Sequence, residues 1–421
     1  MTARPQLLFV STRFLFPADS GGRIRTTEVL RNLLGGAFEI TLVCPATVEQ
    51  SQQFAGDLAK ICDRLVTWKP PPPSAASQLT RLRHIAGALP IPVATDRSDA
   101  GRQTVASELA RKPAVAVFDF PHAAVLAPPN MSDVTTVMFT HNVEAEIFAR
   151  HADVATNLLH RWVWRNQWGK MCRFERDVLQ SFDQVIAVAE RDAAAFRRDY
   201  GVATVDCIPT GVNLEYFEYF GPAASHDVVF TGSMDWAANV DGIEFLITEV
   251  WPLVQAEIAD ARMTVIGRDP PKHLVALARE RGYDFRFTGR VDDIRESTRG
   301  AAAYVIPLRV GGGTRIKAFE AMAMGVPVVS TTIGVEGLDV TPGRDFIAAD
   351  TPQSLATGLI TLLTDHDRGR TLAKTARQLV ESRFSNAVVG KCFESICLDA
   401  MHRKRGAVAA PTASLHFDTG L

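Results

Sequence analysis

The stretch that decides the fold is RVGGGTRIKAFEAMAMGVPVV, residues 309–329, which follows the apolar run AAAYVIPL at 301–308. Three consecutive glycines separate the apolar run from a helical pattern, and a glycine backbone can turn successive N–H groups towards an anion. The glycines are Gly311, Gly312 and Gly313. The helix is predicted to begin at Thr314, where free N–H groups add partial positive charge. Strand, glycine loop and helix together predict an anion-binding turn at the edge of a sheet.

Two cations stand in the predicted first turn of this helix, where acidic residues are usual. Arg315 and Lys317 oppose the positive helix end, but a bound phosphate or diphosphate would reverse the sign of that interaction. Glu320 lies six residues beyond Thr314, about 9 Å along the helix, which is about the reach from a diphosphate to the vicinal hydroxyls of a ribose. The alternative is that Lys317 and Glu320 form a surface ion pair and Arg315 is solvated.

Short apolar strands alternate with helical segments along the chain, a pattern that predicts parallel sheets in an α/β protein. The predicted strands lie at 6–12, 39–45, 64–68, 114–120, 135–141, 184–189 and 205–212, and then at 226–233, 262–268, 285–291, 301–308, 326–332 and 345–350. Two such series predict two doubly wound domains, at 1–215 and 216–385, followed by a helix and tail at 386–421. Sheets of this kind bind ligands beyond the carboxyl ends of their strands, so a cleft between the domains is expected.

Composition places the chain among ordinary globular proteins. It has 421 residues, 47% of them hydrophobic and 22% charged, and its formal net charge of −2 gives no reason to expect nucleic acid as a partner. The six cysteines lack C-x-x-C spacing, which fits a reducing cytoplasm. No apolar run reaches the roughly 18 residues needed to span a membrane, and no D-x-D motif ends a strand. We expect a cytoplasmic protein without a metal or another cofactor.

Several motifs, in the same order, resemble those of glycosyltransferase family 4. GGGTRIKAFEAMAMGVPVVSTTIGVEGL (311–338) resembles the donor-binding motif, in which a glutamate in the position of Glu320 holds the nucleotide ribose. The other matching segments are PADSGGRIRTTEVLRNL (17–33), FTHNVEAEIF (139–148), QVIAVAERDAAAF (184–196) and VDCIPTGVNLEYF (205–217). The resemblance implies a GT-B fold of two Rossmann-like domains. It also implies retaining transfer of a sugar from a UDP- or GDP-sugar to a saccharide or lipid-linked acceptor, in cell-surface or exopolysaccharide synthesis.

The chain departs from the family pattern at two places. Gly312 stands where the family has the first of two glutamates, and FTGSMDWAANVDG (230–242) has Ser233 and Asn239 where Arg and Lys are usual. Gly232 and Ser233 remain candidates for the donor loop. The diphosphate charge is then expected to be met by Arg315, Lys317 and Arg268. A nucleotide-sugar epimerase of the same fold and a non-catalytic nucleotide-sugar or carbohydrate-binding relative are the alternatives.

A second pair of cations occurs near the first glycine loop. Gly21 and Gly22 open a predicted helix, and Arg23 and Arg25 lie just inside it. Their partner is expected to be the donor diphosphate or a phosphate on the acceptor. The alternative is that both arginines are ordinary surface residues.

The end of the strand at 135–141 carries the histidine that the resemblance places against the transferred sugar. His141 could hydrogen-bond a sugar hydroxyl or developing charge, or it could cap the strand through backbone contacts. Glu144 is expected to orient His141 or to contact the acceptor.

The segment HRWVWRNQWGKMCRFER, residues 160–176, contains three tryptophans among basic residues. A two-faced helix of this composition could lie on an anionic membrane surface, with Trp164 and Trp168 at the interface. The alternative is a helix packed on the first domain with a basic outer face.

Overall fold

The computed structural model describes residues 4–70, 84–154, 157–310 and 315–409. The chain divides into two compact units, which we call unit 1 (residues 1–209 and 389–421) and unit 2 (residues 210–388). Each contains one parallel sheet with helices, so the predicted α/β class is confirmed.

The sheet of unit 1 has seven strands among the described residues, in the order β3-β2-β1-β4-β5-β6-β7. The strands are β1 (Gln6–Ser11), β2 (Glu39–Pro45), β3 (Arg64–Trp68), β4 (Val115–Asp119), β5 (Thr135–Phe139), β6 (Gln184–Ala187) and β7 (Val205–Cys207). All neighbours are parallel, and Val10 of β1 aligns with Val43 of β2 and Phe118 of β4. The strand order reverses between β1 and β4, so a crevice opens beyond their carboxyl ends.

Helices connect these strands and cover the sheet. They are α1 (Gly21–Leu33), α2 (Val48–Gln53), α3 (Ala55–Leu58), α4 (Ile91–Asp96), α5 (Asp99–Leu109), α6 (Glu144–Val154), α7 (Leu158–Ser181) and α8 (Glu190–Tyr200), with a 3₁₀ turn at Pro121–Leu126. Side chains fix several helix starts: Ser98 accepts a hydrogen bond from the Gly101 amide, and Asn157 accepts from the Leu159 amide. These caps satisfy amides that the helix itself leaves unpaired.

The sheet of unit 2 has six described strands in the order β10-β9-β8-β11-β12-β13, again all parallel. The strands are β8 (Asp227–Thr231), β9 (Arg262–Ile266), β10 (Asp284–Gly289), β11 (Ala303–Ile306), β12 (Val328–Ser330) and β13 (Ile347–Ala348). The reversal of order falls between β8 and β11, which brings the loops after these two strands together at one edge.

The helices of unit 2 begin with α9 (Ala237–Phe245), α10 (Trp251–Glu257), α11 (Lys272–Glu280), α12 (Ile294–Thr298) and α13 (Ile316–Met324). They continue with α14 (Pro352–Thr364) and α15 (His366–Leu379); π-helical segments lie at Leu246–Val250 and Val380–Phe384. Gly325 ends α13 at a φ of 76°, a left-handed conformation that favours glycine. Tyr219 packs so closely there that a Cβ on Gly325 would lie 2.2 Å from its ring.

The domain limits differ from those expected. The second unit begins at residue 210 rather than 216, and the C-terminal helix α16 (Asn386–Ala409) is not a separate element, because its residues from 389 onward belong to unit 1. Phe393 of α16 is fully buried in the core of unit 1, with its ring 5.2 Å from that of Phe139. A helix with this much buried apolar surface contributes to the stability of unit 1.

Candidate functional site

The loop after β8 forms one side of the candidate site in unit 2. Gly232 and Gly267 lie in close contact, and a Cβ on Gly267 would lie 1.9 Å from the Gly232 carbonyl oxygen. A Cβ on Gly232 would lie 2.8 Å from Lys317 Nζ and 2.7 Å from Asn239 Nδ2. Glycine is therefore required at position 267, where a side chain would meet backbone, whereas a side chain at position 232 would displace the flexible ends of Lys317 and Asn239.

Lys317 of α13 points to this loop. Its Nζ donates a hydrogen bond to Asn239 Oδ1 at 3.1 Å and lies 4.4 Å from the centre of the Phe230 ring. Asn239 in turn donates to the Ser233 carbonyl at 2.7 Å. Asn239 thus occupies the position where the family usually has a lysine, and Lys317 supplies a cation at the same place.

Arg315 is buried beside this lysine, with 3% of its surface exposed. It donates from Nε to the Ile333 carbonyl at 3.1 Å, and its guanidinium lies 5.9 Å from the Trp236 ring. The helix begins at Ile316 with Arg315 as its N-cap, two residues later than expected. The solvated-arginine alternative is excluded by this burial.

The glycine loop before α13 was expected to bind the diphosphate. Gly311, Gly312, Gly313 and Thr314 lie outside the described residues.

Burial changes the acid–base behaviour of the two charged residues on α13. It lowers the pKa of Lys317 to about 7, with Arg315 adding to the effect and Glu320 opposing it. Burial also raises the pKa of Glu320 to about 7, against the opposing effect of Lys317. In the described part of the chain Lys317 donates to Asn239 and forms no ion pair with Glu320 within 4 Å, so the two groups do not neutralise each other by direct contact. Such a site favours an added anion next to the lysine.

Arg268 lies at the same edge of the unit 2 sheet. Its Nε donates to Ser233 Oγ at 2.8 Å, and its Nη2 is 2.7 Å from Asp235 Oδ2. Ser233 also donates to Asp235 at 2.6 Å. The structure therefore brings Arg268 and Ser233 together, with Asp235 as a carboxylate partner that the motif comparison missed.

In unit 1, the glycine loop opens α1 as predicted. A Cβ on Gly22 would lie 2.8 Å from the Phe120 ring, whereas Gly21 has open space around it. Phe120 has a φ of 67°, which is unusual for a residue other than glycine, and follows β4 directly. Left-handed backbone at a bulky residue is concentrated at binding and catalytic sites.

His141 follows β5 and is almost fully buried. Its Nε2 lies 2.8 Å from Asp119 Oδ1, its Nδ1 lies 3.4 Å from Arg25 Nη1, and Phe120 stacks on its ring at 3.9 Å. A carboxylate only accepts and a guanidinium only donates, so the proton is placed on Nε2. Burial is the largest cause of the lowered pKa of His141. The carboxylate that orients His141 is Asp119, not the expected Glu144.

The two arginines of α1 have different partners. Arg23 forms an ion pair with Asp19 at 2.9 Å and also donates to the Pro17 carbonyl. Arg25 contacts His141, and burial lowers its pKa to about 10 against the opposing charges of Asp192 and Asp119. The structure brings Arg25 and His141 into one cluster and turns Arg23 towards the chain before α1.

A cavity of about 250 Å³ lies beside this cluster in unit 1, at the carboxyl ends of β1 and β4. His122 and Glu144 both line it, with Nε2 of the histidine 3.8 Å from Oε2 of the glutamate. Asp96 lies 3.2 Å from Nδ1 of the same histidine. Sequence reasoning missed His122 and Asp96, although the position of His122 just beyond β4 was a usable signal.

The tryptophan-rich segment belongs to α7. Trp164 stacks on His151 at 4.4 Å and packs on Phe148. We expected it at a membrane interface, but its ring is instead packed within unit 1. Trp162 and Trp168 are exposed, at 58% and 42%. Among the described residues, no helix is long and apolar enough to cross a membrane.

Comparison with known proteins agrees with the fold. Residues 225–365 match the family model of group 1 glycosyl transferases. A crystal structure of a glycosyltransferase from Rickettsia africae matches with a TM-score of 0.63 at 11% identity, over 95% of this chain and 99% of that one. The Anabaena protein Alr3699/HepE in complex with UDP matches with a TM-score of 0.63 at 13% identity, over 94% and 100%. The chain thus has the GT-B architecture, and its resemblance to group 1 glycosyl transferases is confirmed.

Two curated relatives match part of the chain. A GDP-mannose-dependent monoacylated alpha-(1-6)-phosphatidylinositol monomannoside mannosyltransferase of Corynebacterium glutamicum is 25% identical over 245 residues, which is 52% of this chain. An uncharacterized 44.6 kDa protein in the cps region of Klebsiella pneumoniae is 20% identical over 228 residues, or 53% of this chain. The match spans 63% of the first relative's length and 57% of the second's.

Proposed function

We propose that this protein is a retaining glycosyltransferase that moves a sugar from a UDP- or GDP-sugar to a hydroxyl of a saccharide or lipid-linked acceptor. The observation that carries the proposal is the site between the β8 loop and α13, where Lys317 meets Gly232 and Asn239. The family match at residues 225–365 includes all of these residues. The Anabaena neighbour that binds UDP and the mannosyltransferase that uses GDP-mannose support a nucleotide-sugar donor.

The leaving diphosphate is the anion that this site suits. Lys317 lies against the loop after β8, and Arg315 beside it makes the ligand-free lysine easier to deprotonate. A diphosphate placed there restores the charged ammonium and balances both cations. Its departure from the sugar is then assisted by charge that is already in position.

Glu320 serves the other end of the nucleotide. It lies one helical turn beyond Lys317, and its carboxylate is proposed to accept hydrogen bonds from the ribose hydroxyls. Ser233 and Arg268, which are bonded to one another, complete the donor loop.

His141 has a positioning part in this proposal. Both of its ring nitrogens already have partners, Asp119 and Arg25, so it holds the arginine and the strained Phe120 in place. A direct contact with the transferred sugar requires one of these partners to move.

The protein is proposed to act in cell-surface or exopolysaccharide synthesis, in the cytoplasm or on the inner face of the cytoplasmic membrane. The Klebsiella relative from a cps region is consistent with the pathway, and the exposed Trp162 and Trp168 on α7 are consistent with an anionic membrane contact. Transfer of sugar to a lipid-linked acceptor would further support the membrane location.

The test begins with thermal unfolding in the presence of UDP, GDP and a panel of their sugars, because a bound donor stabilises the native state by mass action. The preferred donor is then incubated with candidate acceptors, and the anomeric configuration of the product is determined by NMR. Transfer with retention supports the proposal. Donor turnover to an isomeric nucleotide sugar without an acceptor indicates the epimerase, and donor binding without any turnover indicates the non-catalytic relative.

A further inference from the structure

The cavity of unit 1 contains a histidine whose outer nitrogen is available to a ligand. His122 lies in the 3₁₀ turn after β4, and its side chain lines the cavity together with Thr12 and Glu144. Among the described residues, its Nε2 is a buried nitrogen without a hydrogen-bond partner. Buried polar atoms in native proteins are normally satisfied, so an exception in a cavity wall points to a ligand.

The inner nitrogen of the same ring determines which hydrogen bond Nε2 can make. Nδ1 lies 3.2 Å from Asp96 Oδ2, and that oxygen also accepts from Thr12 Oγ1 at 3.5 Å. Because the carboxylate only accepts, Nδ1 carries the proton of the neutral ring. Nε2 is therefore a hydrogen-bond acceptor, and a ligand O–H group could donate to it.

Glu144 provides a second acceptor next to the first. Its Oε2 lies 3.8 Å from His122 Nε2, which is too far for a direct hydrogen bond. Burial is the main cause of its raised pKa. Two acceptors at this spacing suit neighbouring O–H groups of one ligand.

The position of the carboxylates favours a neutral ligand over a phosphate at His122. Two cations, Arg13 and Arg23, and two acids, Asp119 and Glu144, line the cavity, and Arg23 is paired with Asp19. The acids nearest to His122 are Glu144 beside Nε2 and Asp96 behind the ring. A phosphate next to Glu144 would meet like charge, whereas a hydroxyl would donate to it.

We propose that His122, held by Asp96, accepts a hydrogen bond from a hydroxyl of a neutral saccharide, while Glu144 accepts from a neighbouring hydroxyl. The inference deepens the proposed function and rests on it, because the saccharide is the acceptor of the transferase. His122 and Glu144 contact the ligand and select for its hydroxyls, and Asp96 is a positioning residue. A site built to bond a hydroxyl rejects analogues that lack it.

The test uses the full chain with ¹⁵N-labelled histidine and follows the imidazole nitrogens by NMR. Methyl glycosides of glucose, mannose and galactose are titrated in one series, and inorganic pyrophosphate in another. The signals of His122 are assigned by their loss in His122→Phe and, if that variant does not fold, in His122→Gln. His226→Phe is the matched control, because His226 also contacts an aspartate, Asp260 at 2.7 Å, but belongs to unit 2.

We expect a saturable shift of His122 Nε2 with at least one glycoside. The affinity should fall about tenfold or more in His122→Phe and stay within about twofold in His226→Phe. Asp96→Asn should redistribute the His122 proton between Nδ1 and Nε2 and weaken glycoside binding, a spectroscopic change that loss of packing alone would not produce.

Two results would overturn the inference: no shift of His122 with any glycoside up to about 100 mM, or a stronger shift with pyrophosphate. The first limit corresponds to an affinity far weaker than the millimolar range. Thermal stabilisation by UDP and GDP is measured on the same samples. If a nucleotide binds while His122 does not respond, this inference fails and the proposed transferase function stands. If His122 responds while neither nucleotide binds, the transferase proposal fails and unit 1 remains a saccharide-binding unit.

Discussion

Diphosphate binding to unit 2 should take up a proton, because Lys317 is only partly protonated in the ligand-free protein. Burial and the neighbouring Arg315 lower its pKa to about 7. A diphosphate against Nζ favours the charged ammonium and raises that pKa again. The affinity for UDP or GDP should therefore decrease as the pH rises above 7.

The magnitude follows from the protonated fraction. With a pKa of about 7, roughly a quarter of Lys317 is protonated at pH 7.5 and about 3% at pH 8.5. If the bound state keeps the proton throughout, the affinity falls about eightfold over this interval, or about 1.2 kcal/mol. Glu320 has the opposite effect, but with a pKa near 7 it is mostly ionised at pH 7.5 and changes the affinity by less than about 1.5-fold.

Isothermal titration calorimetry in buffers of different ionisation enthalpy measures both the affinity and the proton uptake. We expect a net uptake of about 0.5 proton at pH 7.5, because Lys317 takes up about 0.76 and Glu320 releases about 0.24, and about 0.9 at pH 8.5. Uridine and guanosine are the matched ligands, since they lack the diphosphate but keep the ribose contact. Lys317→Met is the matched variant and should bind the diphosphates weakly, without proton uptake. A ratio of diphosphate to nucleoside affinity that stays constant between pH 7.5 and 8.5 would refute the reasoning.

The stability of the ligand-free protein provides an independent check. The pKa of Lys317 is lowered from an unfolded value of 10.5, so the unfolded chain binds more protons between pH 7 and 10.5. The contribution of Lys317 to the free energy of unfolding therefore increases with pH in this window. Lys317→Met should remove that increase and should be as stable as the wild type at pH 7, or more stable, in thermal unfolding.

Three further predictions follow from the structure. Glu320→Gln should raise the donor KM at a cost on the order of 1–3 kcal/mol in binding, with a melting temperature that is unchanged or higher, because burial opposes the ionised carboxylate. Unchanged donor affinity would rule out the ribose contact. Phe393→Ala should destabilise unit 1 by about 3–5 kcal/mol in urea unfolding, and a loss below about 1 kcal/mol would show that the C-terminal helix is not part of that core. Replacing the exposed Trp162 and Trp168 with Ala should abolish salt-sensitive flotation with anionic vesicles and leave the fold intact. Trp164→Ala is the control and should lower stability instead. Wild-type protein that does not float at low salt would refute the membrane proposal.

The sequence by itself determined the two-sheet architecture. All thirteen predicted strands are present within the described residues, since strands buried on both faces are continuous apolar runs that the chain displays locally. The placement of Lys317 and Glu320 on one helix was also predictable. Lys317 and Glu320 share one helix, so their spacing sets their separation whatever surrounds them.

Tertiary structure decided which side chains meet and how they titrate. Asp119 and His141 are 22 residues apart, and Lys317 and Asn239 are 78 residues apart. No local pattern encodes such contacts. They follow from the order of strands in each sheet, which brings the ends of distant strands to one edge. The pKa of Lys317 likewise depends on the atoms that exclude water from it, and those atoms come from segments that only the fold assembles.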